Sequence, residues 1–287
     1  MMGAELVFVG ANAMSNPAMI LHNISFAVGG KSILNSIYLR FSPGKITAII
    51  GPSGSGKSTL MKCAASVLEP TGGEVQVGGV PLRDQKAGFR RLLGYVPQDD
   101  VIHRELRVQD AFYYAARLRL DPLISDADVM ARISEVLRRL QMEPRRNQRI
   151  SRLSGGQRKR VNIGVELLAD PLRLFLDEAA SGLDPGTEED LMNFLAQLAG
   201  DGKTVVLTTH SMEHLDRVDQ LVLLQGGDMV FAGSMQELLA HFEIAHIAEV
   251  FKRLRERPQT HWRGLFKESA PGMRVHSEVR LEFRQKQ

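Results

Sequence analysis

Residues 51–59 read Gly51-Pro52-Ser53-Gly54-Ser55-Gly56-Lys57-Ser58-Thr59 and follow the apolar run Ile46-Thr-Ala-Ile-Ile50. The spacing fits G-x-x-x-x-G-K-[ST], and the segment from Lys57 to Leu68, with Ala64 and Ala65 inside it, predicts a helix. Strand, glycine loop and helix in that order make a phosphate cradle. The glycines let the backbone wrap closely, and amides at the helix N-terminus supply positive potential. Lys57 is placed to reach the β and γ phosphates of a nucleoside triphosphate, and Ser58 to ligate magnesium. Gly51 to Thr59 are therefore the first candidate binding residues.

Downstream, Leu172-Arg-Leu-Phe-Leu-Asp177-Glu178 is an apolar strand ending in two acids. Ligands gather at the carboxyl edge of a parallel sheet, so Asp177 is a candidate magnesium ligand and Glu178 a candidate general base for an attacking water. Acids also end strands for no chemical reason, and only the phosphate loop upstream favours the catalytic reading. Between the two strands, Val108, Ala111, Phe112, Ala115 and Leu118 recur at helical spacing, as do Val129, Ile133, Val136, Leu137 and Leu140. A helical insert over about 99–152 is expected there. The α/β pattern then resumes with a helix over Thr187 to Leu198 and a strand over Thr204 to Leu207.

The chain has 287 residues, 44% of them hydrophobic and 24% charged, which excludes global disorder and a membrane bundle. No apolar run approaches the about eighteen residues needed to cross a bilayer, so any pore is expected from another chain. The short apolar segment from Leu6 to Val9 lacks a positive flank, so a cleaved secretion signal is the weaker reading and a cytosolic site is expected. Cys63 is the one cysteine, which excludes an internal disulfide and a cysteine metal site. A formal charge of +3 does not imply a nucleic-acid partner. Arg158, Lys159 and Arg160 read as a solvated helix face. After about Ala240 the pattern fades, and a helix followed by a loose tail over 241–287 is expected, with no role assigned.

Leu153-Ser154-Gly155-Gly156-Gln157 lies between the helical insert and the Asp177-Glu178 strand, and this order resembles the ABC (ATP-binding cassette) ATPases. Ser154 can cap a helix beginning near Gln157, while Gly155 and Gly156 admit a phosphate to free amides. The resemblance extends to Gln98 in Gly-Tyr-Val-Pro-Gln, similar to the family's Q-loop, which senses magnesium. It extends also to Ser181-Gly-Leu-Asp184, similar to the D-loop, and to His210, similar to the switch histidine that contacts the γ phosphate. It implies an α/β P-loop NTPase fold with a RecA-like core, an antiparallel β-subdomain and an inserted α-helical subdomain, together filling 1–240. ATP and Mg2+ are the implied cofactors. Lys57, Gln98, Glu178 and His210 are the implied catalytic set, with Ser58, Gln98 and Asp177 toward the metal.

In this family the signature of one cassette faces the nucleotide of another, so a homodimer or heterodimer is implied, beneath an integral membrane partner on a separate chain. That places the protein on the cytoplasmic face of the inner membrane, with no nucleic acid expected. The run Leu153 to Leu167 and Tyr95-Val-Pro-Gln-Asp-Asp100 resemble the G (White-like) subfamily, while Thr208-Thr-His-Ser-Met-Glu213 is closer to bacterial cassettes. Two positions depart from the pattern. Spacing puts Val28, with Phe26 nearby, where the family stacks an aromatic residue on adenine, and Ala179-Ala180 replace the usual Pro-Thr after Glu178. Two rival functions remain open on the sequence: a soluble ABC protein acting on ribosomes or DNA, and a weakly hydrolysing regulatory module.

Overall fold

The computed structural model describes residues 16–85 and 92–284; the Leu6 to Val9 segment lies outside them. Two sheets carry the fold. The first is antiparallel and contains β1 (Met19–Val28), β2 (Lys31–Phe41), β4 (Gly72–Val77) and β5 (Val80–Pro81) in the order β2-β1-β4-β5. The second joins β3 (Ile46–Ile50), β6 (Leu93–Val96), β7 (Arg173–Leu176), β8 (Thr204–Thr208), β9 (Gln220–Gln225) and β10 (Asp228–Gly233) in the order β10-β9-β3-β8-β7-β6. Its strands run parallel except for the terminal β9–β10 hairpin. Every residue of β3, β7 and β8 is buried, which is why these strands read as mostly apolar runs rather than alternating ones.

β3 feeds the glycine loop and then α1 (Lys57–Ala64). This helix stops four residues before the expected Leu68. Ser66 turns left-handed at φ 56° and the Val67 N–H reaches back to the Lys62 carbonyl, a closing bond that ends the helix with its carbonyls satisfied. α2 (Val108–Arg119) and α3 (Asp126–Arg139) match their sequence periodicity, burying Val108, Ala111, Phe112 and Ala116 from one and Val129, Ile133, Val136 and Leu137 from the other. α4 (Gly155–Leu167) packs on both, so the helical layer runs past the expected boundary at residue 152. α5 (Pro185–Gly200), capped by Asp184, covers β3 and β8.

Beyond Ala240 the chain is ordered helix rather than loose tail. α6 (Met235–Phe242) is followed by α7 (Val250–Arg255), α8 (Gln259–Glu268) and α9 (Ala270–Arg284). Phe242 and Trp262 pack 5.1 Å apart, Phe231 of β10 and Phe266 5.8 Å, and α9 lies on β1 and β2. The signal was present in pairs spaced by four residues: Val250 with Leu254, Trp262 with Phe266, and Val275 with Val279 all bury. Pro258 and the Ser269-Ala-Pro271 break cut the pattern into pieces too short to stand out.

Candidate functional site

The phosphate loop closes on its own lysine. Lys57 Nζ donates to the carbonyls of Gly51 at 2.9 Å and Pro52 at 3.1 Å. Burial pulls its ammonium below the ordinary lysine value, partly offset by the Glu178 and Asp177 carboxylates. Gly56 stands at the helix N-terminus with φ 99°, and a Cβ there would come within 2.8 Å of the Leu34 side chain and 3.0 Å of the Ile33 carbonyl. Only glycine combines that left-handed backbone with such close approach of β2.

Ser58 Oγ donates to Asp177 Oδ1 at 2.9 Å, joining the loop to the end of β7. The same oxygen accepts from Thr208 Oγ1 at 2.7 Å, and Asp177 Oδ2 accepts from Tyr95 Oη at 3.2 Å. Thr208 in turn accepts from the Glu178 N–H at 2.9 Å. Glu178 has φ 48°, a left-handed conformation that costs a non-glycine residue about 1–2 kcal/mol and that the Thr208 bond helps hold. That twist directs the carboxylate at two donors: Gln98 Nε2 reaches Oε2 at 2.8 Å, and His210 Nε2 lies 2.5 Å from Oε1.

A cavity of about 780 Å³ is lined by Lys31, Ser32, Ile33, Ser53 to Thr59, Gln98, Glu178, His210 and Gly226. Most of the expected phosphate-loop residues and all four expected catalytic side chains, Lys57, Gln98, Glu178 and His210, thus share one space. The residues fit a magnesium-bound triphosphate. The buried Ser55 hydroxyl has no hydrogen-bond partner among the described residues, α1 points its free amides into the loop, and a hydroxyl and a carboxylate meet at Ser58 and Asp177. Val28 does not line the cavity and is 59% exposed; the wall beside the loop comes from Lys31, Ser32 and Ile33 of β2, which spacing arguments missed.

Ser154, Gly155, Gly156, Gln157 and Asp184 lie off this cavity. Ser154 and Gln157 form a reciprocal cap on α4, so the helix starts at Gly155, two residues before the expected Gln157. A Cβ on Gly156 would fall 2.3 Å from Thr187 Cγ2, whereas Gly155 faces open space. Asp184 caps α5 through the Thr187 N–H at 3.0 Å, and its bonds to Thr187 hold its carboxyl below the ordinary aspartate value.

The basic run after the signature is not a solvated face. Lys159 is 8% exposed, and its Nζ donates to the Gln98 carbonyl at 2.9 Å. Arg158 Nε and Asn162 Nδ2 bind the two oxygens of Asp100 at 3.2 and 2.7 Å. Arg160 pairs with Asp190 on α5. Residues three and four apart on α4 therefore hold the segment that carries Gln98, a link no local pattern reveals.

The sequence model of the ABC transporter family matches residues 34–181, a span holding the phosphate loop, Gln98, the signature and Glu178. The chain belongs to the ABC transporter family. An ABC transporter ATP-binding/permease protein of Mycobacterium tuberculosis is 41% identical over 231 residues, covering 80% of the cassette and 27% of that protein. The broad substrate specificity ATP-binding cassette transporter ABCG2 of Mus musculus is 35% identical, over 75% of the cassette and 34% of its own length. The cassette thus spans about a quarter to a third of these relatives. The Nod factor export ATP-binding protein I of Rhizobium etli is 32% identical over 82% of the cassette and 73% of that protein. A dimeric bacterial ABC transporter cassette superposes with a TM-score of 0.69 at 27% identity, over 76% of this chain and 98% of that one. Matches to G-family members put the cassette in the G subfamily, with the P-loop NTPase fold expected from its motifs. A post-hydrolysis cassette bound to ADP and Pi superposes with a TM-score of 0.68 at 27% identity.

Proposed function

We propose that two such cassettes close on ATP, that hydrolysis at Glu178 lets them part, and that this cycle drives a separate membrane partner. One observation carries the reading: the phosphate loop, Gln98, Glu178 and His210 line one cavity, while Ser154 to Gln157 and Asp184 lie outside it. A signature that its own chain does not use is available to a second cassette, whose nucleotide it would contact through the N-terminus of α4.

Within the site each residue has a distinct task. Lys57 moves from the Gly51 and Pro52 carbonyls to the β and γ phosphate oxygens, exchanging neutral acceptors for charged ones. Ser58 and Asp177 would hold the metal, which would supply charge neutralisation on the phosphates when bound. Glu178 takes the proton of the attacking water. Gln98 and His210, both hydrogen-bonded to that carboxylate, fix its position and turn toward the γ phosphate as it arrives.

The membrane partner fits the groove between the core and the helical layer, lined by Val67, Leu93, Tyr95, Leu118, Arg119 and Glu166. Leu118 is 87% exposed at its mouth, and Tyr114 on the same helix is also exposed. An apolar surface rimmed by an arginine and a glutamate suits a short helix from another chain. No helix among the described residues is long and apolar enough to cross a membrane, and we place the cassette on the cytoplasmic face of the inner membrane beside such a partner.

Mixing two inactive variants tests the shared site. Lys57→Ala abolishes one half-site and Ser154→Arg the other, so each alone hydrolyses little ATP. The mixed dimer regains one site with an intact Lys57 and an intact Ser154, and phosphate release returns. No recovery on mixing would remove the two-chain site. Co-purification with an integral membrane protein supports the transport assignment, whereas sedimentation with ribosomes or DNA overturns it.

A further inference from the structure

The C-terminal helices reach the nucleotide cavity at the turn between β9 and β10. Gly226 and Gly227 join β9 to β10, and Gly226 lines the cavity opposite Lys57. The Gly227 N–H donates to the Ser55 carbonyl at 3.1 Å, and the Gly227 carbonyl accepts from the Asn35 N–H at 2.9 Å. In a trans peptide the C=O and the following N–H point in opposite directions. Holding the Ser55 carbonyl against the turn therefore directs the Gly56 N–H to the other side, into the loop where phosphate oxygens bind.

What holds the turn is Gln259, the first residue of α8. Its Nε2 donates to the Gly226 carbonyl at 3.1 Å and also to Asp228 Oδ2. Asp228 is buried, and its other oxygen accepts from Arg263 Nη1 at 3.2 Å. The side-chain amide thus bridges the last residue before the turn's outer glycine and the first residue of β10. Behind it, Trp262 packs on Phe242 and donates to the Leu254 carbonyl of α7 at 3.2 Å, while Phe266 packs 5.8 Å from Phe231 and fixes α8 against β10.

We propose that Gln259 is a positioning residue for the phosphate loop, and that residues beyond Ala240 serve the ATP site by clamping the Gly226-Gly227 turn onto Ser55. This rests on the reading of that cavity as the ATP site. The side chain touches no reacting atom; it acts through two hydrogen bonds in series, from Gln259 Nε2 to the Gly226 carbonyl and from the Gly227 N–H to the Ser55 carbonyl. Movement of α8 or α9 by any binding event on the outer face would consequently reach the phosphates without passing through the helical layer.

Two substitutions in the full chain separate the hydrogen bonds from the packing. Gln259→Met keeps the volume and removes both donated bonds, and the Kd for MgADP measured by titration calorimetry rises about fivefold. Gln259→Lys restores a donor to both the Gly226 carbonyl and the Asp228 carboxylate, and Kd returns to within twofold of the unsubstituted protein. An unchanged Kd in the methionine variant overturns the proposal, and so does equal weakening in the methionine and lysine variants. Failure of the unsubstituted protein to bind MgADP is a different result, which removes the ATP-site reading itself and this inference with it.

Discussion

The ammonium of Lys159 on α4 donates to the main-chain carbonyl of Gln98 at 2.9 Å, while the Gln98 side chain donates to Glu178. One residue thus connects the helix that begins with the signature to the carboxylate proposed as general base. Burial pulls the Lys159 ammonium below the ordinary lysine value, and the carboxylates of Asp100, Asp177, Asp99 and Glu178 push the other way. A buried cation held by one carbonyl transmits displacement well, because losing that bond leaves a desolvated charge behind.

Lys159→Met tests that connection. The methylene stem is kept and the carbonyl loses its donor. We expect kcat for ATP to fall about tenfold, equivalent to about 1.4 kcal/mol, with nucleotide affinity unchanged. Steady-state hydrolysis beside equilibrium binding checks it, and a full kcat would remove the coupling role.

Glu178→Gln retains the hydrogen-bond geometry at Gln98 and loses the proton acceptor. Hydrolysis is expected to fall by about 10² to 10⁴ while ATP still binds, so dimers accumulate with MgATP. Size-exclusion chromatography with a phosphate-release assay reads both effects. Unchanged turnover would take the base role from Glu178.

Thr208 is the hub between Asp177 and the strained Glu178 backbone. Thr208→Val preserves its shape but leaves the Glu178 N–H unpaired, a cost of about 1–3 kcal/mol. The expected outcome is a lower kcat and a higher magnesium concentration for half-maximal activity. A magnesium titration identical to that of the unsubstituted protein would show that the hydroxyl does not matter.

Docking of α9 should weaken in mild acid. His22 stacks on Phe283 at 3.8 Å and His276 tilts over Tyr38 at 4.8 Å. Burial lowers the pKa of both below 6.5; Arg280 adds to each, Lys267 adds at His276, and Glu74 opposes at His22. The native state therefore binds fewer protons than the unfolded chain near these values. Their contribution is complete above pH 6.5 and is lost as pH falls through the lowered native values. Melting temperature should drop between pH 7.5 and 5, by about 2–4 °C for each kcal/mol lost in a chain of this size. A flat profile in differential scanning calorimetry would exclude a role for the two imidazoles.

The sequence by itself determined whatever depends on neighbours along the chain. The loop Gly51 to Thr59, the apolar strands ending at Ile50 and Leu176, the periodic helices α2 and α3, and the cap at Ser154 are each set by local propensity or by hydrogen bonds spanning a few residues. Their order in the chain carried the family resemblance. Tertiary structure alone decided which residues meet across the sheet. Thr208 reaches Asp177 across 31 positions, Lys159 reaches Gln98 across 61, and Gln259 reaches Gly226 across 33. A threonine at a strand end, a lysine in a basic run and a glutamine opening a short helix look ordinary in isolation. Parallel strands and packed helices bring them behind the cavity's own residues, and burial then turns ordinary polar groups into directed ones.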